Sequence, residues 1–433
     1  MKPATPRQCT PYSDTGNLPR WVSLALGGAI LFSLLLHFWA QVCQSQLLHW
    51  NLTLLNYQEF LINFEGGPVR RGLLGELLLW STRLTVVSPI LIIQTVCIAA
   101  YVAFTLLVIL RSRRAGWCWW LCLSPLMCGY LQDVIRKDYI QLLLLLPILA
   151  LCAREKLSAF RCAAVGALMV LEVLLHEAFI FWGAPLPLLI LLTSAQKRRD
   201  GALTVCIVLA AFLLQCYWHG DSSVTEGIVA SWRGLLPHWN SLNAHSIGGL
   251  DWELLPTLDK HFHGNFHSGS IGWWQAAERA LVYIVNSFVV TQFAGVFTRE
   301  ASEGRGRELT VRVTRTYLLV SICMVPMFTV LSCDFGRLYL YLTSATVLAS
   351  MIIPADVTDK ATGRFLTGAV TRWTDMIDRL LPLRRRRWVV AVLLLVVGDS
   401  TWGFSWSNWF SQTVLGALWI GCYSLCTKLA ALI

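Results

Sequence analysis

The sequence predicts an all-α polytopic membrane protein, a single transmembrane domain over 1–433 with about twelve transmembrane helices and a large non-cytoplasmic loop. Three observations carry that expectation. The 433 residues are 56% hydrophobic and only 14% charged, with a mean hydropathy of +0.57, too little polar material to cover a water-soluble globule. Runs such as Leu142 to Ala153, Ala202 to Trp218 and Val389 to Val397 are apolar on nearly every face, as suits a helix surrounded by lipid or other helices. Basic residues flank these runs, and strict apolar–polar alternation is absent, which argues against an outer-membrane barrel.

From the N-terminus, Met1 to Arg20 is polar and holds Pro3, Pro6, Pro11 and Pro19. The apolar run that follows is too long for a signal-peptide core and lacks a clear cleavage site, so it is expected to stay as the first helix. Apolar length and flanking charge place spans at 22–43, 87–110, 116–132, 139–153, 162–176, 178–194, 202–218, 279–298, 316–332, 338–354, 388–402 and 412–431. With both termini cytoplasmic, 26 of the 35 Lys and Arg fall inside and 9 outside; the positive-inside bias selects this orientation over its inverse.

Three segments between spans stand out. Residues 44–86 form the first outer loop, and Arg71 to Arg83 within it carries leucines at helical spacing, which predicts a helix lying in the interface. Residues 219–278 form the largest outer loop, whose Trp232, Trp239, Trp252, Trp273 and Trp274 suit sugar stacking or a lid at the membrane surface. Residues 355–387 form a cytoplasmic basic amphipathic segment ending in Arg384 to Arg387, expected to meet anionic lipid.

Composition also excludes several classes. The net charge of +10 follows the membrane flanks instead of forming a nucleic-acid surface, so membrane lipids are the expected partners and nucleic acid is not. The 14 cysteines lie mostly inside apolar runs with no CxxC pair, so they read as small buried hydrophobes. His238, His245, His261, His263 and His267 match no zinc spacing, so no metal ligands are assigned. No cofactor is implied, with a divalent cation left open. No fixed-period repeat and no inverted pair of broken helices is visible, which weighs against a secondary transporter.

Four charged clusters interrupt or border apolar sequence, and the threading puts all four on the non-cytoplasmic side. The first, Glu65 to Arg71, sets Arg70 and Arg71 after a Gly-Gly-Pro turn, with Glu59 upstream; paired guanidiniums match phosphate oxygens, and snorkelling to headgroups is the alternative. The second, Arg136, Lys137 and Asp138, sits on a very short outer turn where two cations run against the positive-inside bias. A phosphate-holding role or local pairing to Asp133 or Asp138 would account for it. His176 and Glu177 lie in the almost unbroken apolar run Ala163 to Leu192, where an ionisable pair is costly unless it works, here as a proton-transfer pair, or caps a hinge. Asp334 and Arg337, three apart, could pair with each other or hold phosphate, a sugar hydroxyl or a metal.

With an acidic first outer loop, basic groups at several helix mouths and a long later outer loop, the chain resembles the integral-membrane glycosyltransferases of the GT-C type and the bacterial polysaccharide repeat-unit polymerases and ligases. Both groups use polyprenyl-phosphate-linked sugars on the non-cytoplasmic face. The GT-C resemblance implies an acidic base in the first outer loop, a position only Glu59 or Glu65 fills here, and the usual Asp-containing pattern is missing. The polymerase and ligase resemblance implies outer arginines on the pyrophosphate, a role open to Arg70, Arg71, Arg136 or Arg337.

The expected function is therefore a polyprenyl-phosphate-dependent transferase or polymerase of surface polysaccharide in a bacterial inner membrane, working with other polysaccharide assembly proteins. Arg70, Arg71, Arg136, Lys137 and Arg337 would hold phosphate, with Asp138 and Asp334 beside them, and Glu65, Glu59, His176 or Glu177 would take the acceptor proton. A transporter or flippase of an anionic lipid-linked glycan is the rival, and a non-catalytic member of an export complex is a third reading.

Overall fold

A computed structural model describes residues 55–85, 87–115, 134–236, 291–292, 294, 306–328 and 335–380. The expected spans at 22–43, 116–132, 388–402 and 412–431, most of 279–298, most of the loop 219–278, Asp334 and Arg384 to Arg387 lie outside the described residues.

Among the described residues the fold is all helical. The order is α1 (Leu55–Leu61), α2 (Gly72–Leu84), α3 (Pro89–Ala115), α4 (Asp138–Cys152), α5 (Ala159–Leu175), α6 (Phe179–Trp182), α7 (Pro185–Ser194), α8 (Arg198–Tyr217), α9 (Ser222–Ser231), α10 (Gly306–Pro326), α11 (Phe335–Ile352) and α12 (Ala355–Leu380). Among the described residues, three stretches are long and apolar enough to cross a membrane: Pro89–Val108, Arg198–Tyr217 and Gly306–Pro326. A fourth is reached only if Leu340–Ile352 and Ala355–Leu380, bent by 118°, count as one broken span. The outward faces of α3 and α8 carry exposed Leu91, Leu106, Leu110, Leu203, Ile207 and Leu213, apolar surface suited to lipid.

The other apolar runs make shorter helices for identifiable reasons. A helix of 15 residues such as α4 rises only ~22 Å, against a hydrocarbon core of ~30 Å. The run 178–194 does not form one helix. It divides into α6 and α7 at Gly183, with Pro185 in the first turn of α7, where its missing N–H costs nothing. Helix α5 starts on a Ser158 cap that accepts from Arg161 N–H at 3.4 Å, and stops at His176, whose backbone is extended.

Close contacts between small residues lock the bundle. Gly166 on α5 seats against the Thr204 methyl of α8, and Gly201 lies against the Leu191 carbonyl of α7. In the core, Trp182 stacks on Tyr341 with centroids 4.3 Å apart and planes 5° from parallel, and Tyr139 meets Tyr101 edge-on at 4.9 Å.

Chain direction then sets which termini meet. The N-termini of α4 and α11, the C-termini of α5 and α8, and the loop between α1 and α2 gather at one end of the bundle. That loop is docked on the α8–α9 segment. Arg70 N–H donates to the Trp218 carbonyl at 2.8 Å, Trp232 Nε1–H to the Leu61 carbonyl at 2.9 Å, and Asn63 Nδ2 to Ser231 Oγ at 2.8 Å. Gly66 packs so tightly that a Cβ there would overlap the Val224 backbone, and a Cβ on Gly227 would in turn strike Gly66. Backbone cannot retreat as a flexible side chain can, so Gly66→Ala is expected to destabilise the protein by about 2 kcal/mol. Thermal unfolding in detergent measures this, and a variant as stable as the parent would mean that the loop is not seated on α9.

Candidate functional site

The loop Leu61 to Arg71 ends in a strained residue. Arg71 has φ 63 and ψ 10, the one non-glycine residue with positive φ among those described, a conformation costing roughly 1 kcal/mol that persists only where surroundings impose it. Its N–H donates to Gln215 Oε1 of α8 at 3.1 Å. The guanidinium grips Glu177 with Nε 2.8 Å from Oε2 and 3.1 Å from Oε1, while Nη2 also donates to Oε1. Burial works against the charge on Glu177, but the Arg71 guanidinium outweighs it and holds the carboxyl well below the usual range.

A second hub forms around Arg337 in the first turn of α11. Its Nε donates to Asp138 Oδ1 at 2.7 Å and to the Tyr341 hydroxyl at 3.2 Å, and Nη1 and Nη2 reach the Glu59 oxygens at 3.3 and 3.4 Å. The Tyr341 hydroxyl also donates to Asp138 and lies 3.0 Å from Gln141 Oε1. Burial opposes ionisation of Glu59, but Arg337, followed by Arg71 and Lys137, holds it far below the ordinary carboxylate range.

Lys137 lies between the two hubs. Its side chain is 1% exposed, and Nζ has no hydrogen-bond partner among the described residues. The ammonium sits 5.7 Å from the centre of the Phe60 ring. Burial pushes its pKa down to about 8; Glu59 resists that shift, and Arg71 and Arg337 add to it.

Of the charged cluster members described, Arg71, Lys137, Asp138, His176, Glu177 and Arg337 converge, directly or through a neighbour. Glu65 faces outward instead and pairs with Arg83 at 2.6 Å, both side chains part-exposed. Arg70 contributes to the field that keeps Glu177 charged. Arg136 is half-buried, and its carbonyl accepts from the Cys97 thiol at 3.8 Å. Arg337 and Asp138 bond to each other across the bundle, because α4 and α11 lie side by side with both N-termini at this end; the expected Asp334–Arg337 pair involves a residue outside those described.

Both Glu177 oxygens are held by Arg71, and His176 Nδ1 accepts from Ala178 N–H at 3.2 Å while lying 3.6 Å from Glu177 Oε2. With Nδ1 accepting, the proton of the neutral imidazole sits on Nε2, making that nitrogen a donor.

A polar chain descends from the cluster. Beyond Tyr341, Gln141 Nε2 donates to Glu172 Oε2 at 3.2 Å; Glu172 is fully buried and its Oε1 lacks a partner among the described residues. Beside the cluster, Phe64, Gly67, Pro68 and Trp218 line a shallow groove of ≈ 290 Å³, with Phe64 and Trp218 edge-on at 6.5 Å.

Sequence reasoning passed over Gln141, Gln215, Trp218 and Tyr341. The available signal was an uncharged polar group, Gln141 or Gln215, inside an otherwise apolar run. Among the described residues no three His, Cys, Asp or Glu side chains converge on a cation position, and Asp138 and Glu59 are both engaged by Arg337. No protein-family model, no curated protein and no solved structure matches the chain.

Proposed function

We propose that the chain is a membrane-embedded glycosyltransferase or polysaccharide polymerase acting on polyprenyl-phosphate-linked sugars. In this reading it crosses a bacterial inner membrane about twelve times with both termini cytoplasmic, and the charged cluster faces the other side. The observation that carries the reading is Lys137, a buried ammonium with no hydrogen-bond partner among the described residues, set among arginines that already occupy the nearby carboxylates. A buried cation left in that state suits an anion arriving from outside the chain.

The phosphates of the lipid carrier would bind Lys137, Arg71 and Arg337, with Arg70 and Arg136 flanking, and these cations would stabilise charge on the departing phosphate. Glu59 and Glu177 hold the arginines in place, and the His176 Nε2–H adds a neutral donor. Of the four candidates for the proton acceptor, Glu65 is the carboxylate that an acceptor hydroxyl can reach: its side chain is 37% exposed and the aromatic groove beside it suits a sugar face.

The test is binding of a short-chain polyprenyl diphosphate to the purified protein as pH is varied. Affinity is expected to fall as pH rises through about 8, where Lys137 loses its charge, and Lys137→Gln is expected to bind roughly tenfold more weakly with that pH step abolished. The same depression costs stability while Lys137 is charged, and the cost is relieved as pH rises from about 8 toward the ordinary 10.5. Equal affinity in the parent and Lys137→Gln would overturn the reading.

The polar chain through Tyr341 and Gln141 to Glu172 supports a second reading, a transporter or flippase of an anionic lipid-linked glycan, because it carries polar groups inward from the cluster. Vesicle-reconstituted protein that moves a labelled polyprenyl diphosphate between leaflets, and stops doing so as Glu172→Leu, would favour it over transfer chemistry.

A further inference from the structure

At the end of the bundle opposite the charged cluster, α12 departs from α11 at an angle of 118° and packs against α7 and α10. Gly363, at φ 76, kinks it, and the part that follows presents three faces. Val370 and Thr374 are buried against the bundle. At ~100° per residue, Arg364, Arg372 and Arg379 fall in one exposed arc, and Phe365, Trp373, Met376 and Leu380 fall in the next. Phe365 is 85% exposed and Leu380 68%, a large apolar display on a helix that is polar overall.

Two of the four acidic residues of α12 pair with arginines of the bundle. Asp375 pairs with Arg307 at the start of α10, and Asp359 pairs with Arg315, a residue 1% exposed whose Nη1 also donates to Thr367 Oγ1 at 2.9 Å. Two carboxylates thus neutralise bundle arginines, and the arginines of α12 itself are left pointing outward beside the apolar arc.

We infer that the second half of α12 lies in the plane of a lipid leaflet, with Phe365, Trp373, Met376 and Leu380 among the acyl chains and Arg364, Arg372 and Arg379 on anionic lipid phosphates. The occupant is an anionic bilayer surface, because an apolar arc bordered on one side by cations matches the depth profile of such a leaflet, acyl below and phosphate above. A protein partner with a matching acidic rim, or a second copy of this chain, is the competing occupant that the test separates. The inference is independent of any activity at the cluster.

The experiment uses the full chain in nanodiscs of phosphatidylcholine alone or mixed with phosphatidylglycerol. A photoreactive benzoylphenylalanine placed at Phe365 or Met376 is expected to give lipid adducts by intact mass, whereas one at Lys360 gives none. Phosphatidylglycerol is expected to raise the unfolding temperature of the parent, and the variant R364Q/R372Q/R379Q is expected to lose that gain. Its retention of phosphatidylglycerol is expected to weaken about fivefold per arginine removed. Protein–protein adducts at 365, absence of lipid adducts, or equal stabilisation by both lipids would each overturn the inference. The single variant R364Q keeps the lipid comparison readable if the triple variant fails to fold.

Discussion

Replacing Arg337 with Met is expected to destabilise the protein by about 3–5 kcal/mol, the largest loss for any single side chain in the cluster. The guanidinium serves two carboxylates on different helices, with Nε at 2.7 Å from Asp138 and the terminal nitrogens on Glu59. Removing it leaves Asp138, itself 1% exposed, with the Tyr341 hydroxyl as its remaining charge-stabilising contact among those described, and leaves Glu59 facing Lys137 and Arg71 across longer distances. Lysine is a poor replacement, because one ammonium cannot reproduce a fork that reaches both carboxylates. Arg337→Lys is therefore expected to recover less than half the loss.

The sign with pH follows from Glu59. Its folded-state carboxyl is depressed from 4.5, so it contributes stability that is present above that value and is lost as pH falls toward the lowered one. In Arg337→Met the depression shrinks, and the difference in stability between parent and variant is expected to narrow on acidification below about 4.5. Thermal unfolding in detergent at several pH values measures both effects. A variant within ~1 kcal/mol of the parent would show that the network is solvated and carries little energy.

The clusters were legible in the sequence because a charge inside apolar sequence is conspicuous whatever its partner. Their partners were not, because pairing depends on which helix ends share a side of the bundle. Spacing offers Arg337 only the nearby Asp334, and cannot show that its guanidinium also bonds to Asp138 and Glu59, brought beside it by the packing of α4 on α11 and of α1 nearby. Helix boundaries were also obscured where composition is uniform. The run from Ala163 to Leu192 is apolar throughout, so hydropathy marks a break only at His176 and Glu177. The second break, at Gly183, comes with Pro185, which has no N–H to donate back into α6, and mean hydropathy does not register that. The helix expected over 71–83 has a plainer basis, leucines at helical spacing ahead of Arg83, and a helix occupies Gly72–Leu84.

Arg71 and Glu177 allow stability and ligand binding to be separated within one pair. Arg71→Met is expected to cost about 3 kcal/mol, because it strands a carboxylate with only 16% of its side chain exposed. Glu177→Gln keeps a hydrogen-bond acceptor for the guanidinium and is expected to cost about 1–2 kcal/mol. In the double variant Arg71→Met/Glu177→Gln neither charge remains, so its loss is expected to be smaller than the sum of the two single losses by about 1–2 kcal/mol. Binding of the polyprenyl diphosphate should sort the same variants differently. Both proteins lacking Arg71 lose a phosphate partner and are expected to bind at least tenfold more weakly. Glu177→Gln, whose guanidinium is released from a competing carboxylate, is expected to bind as well as the parent or better. If recovery of stability in the double variant brought recovery of binding with it, Arg71 would act only by keeping the protein folded. The left-handed backbone at Arg71 would then have no role at the site, and its strain of roughly 1 kcal/mol would be removable by the double variant Arg71→Gly/Glu177→Gln without loss of ligand.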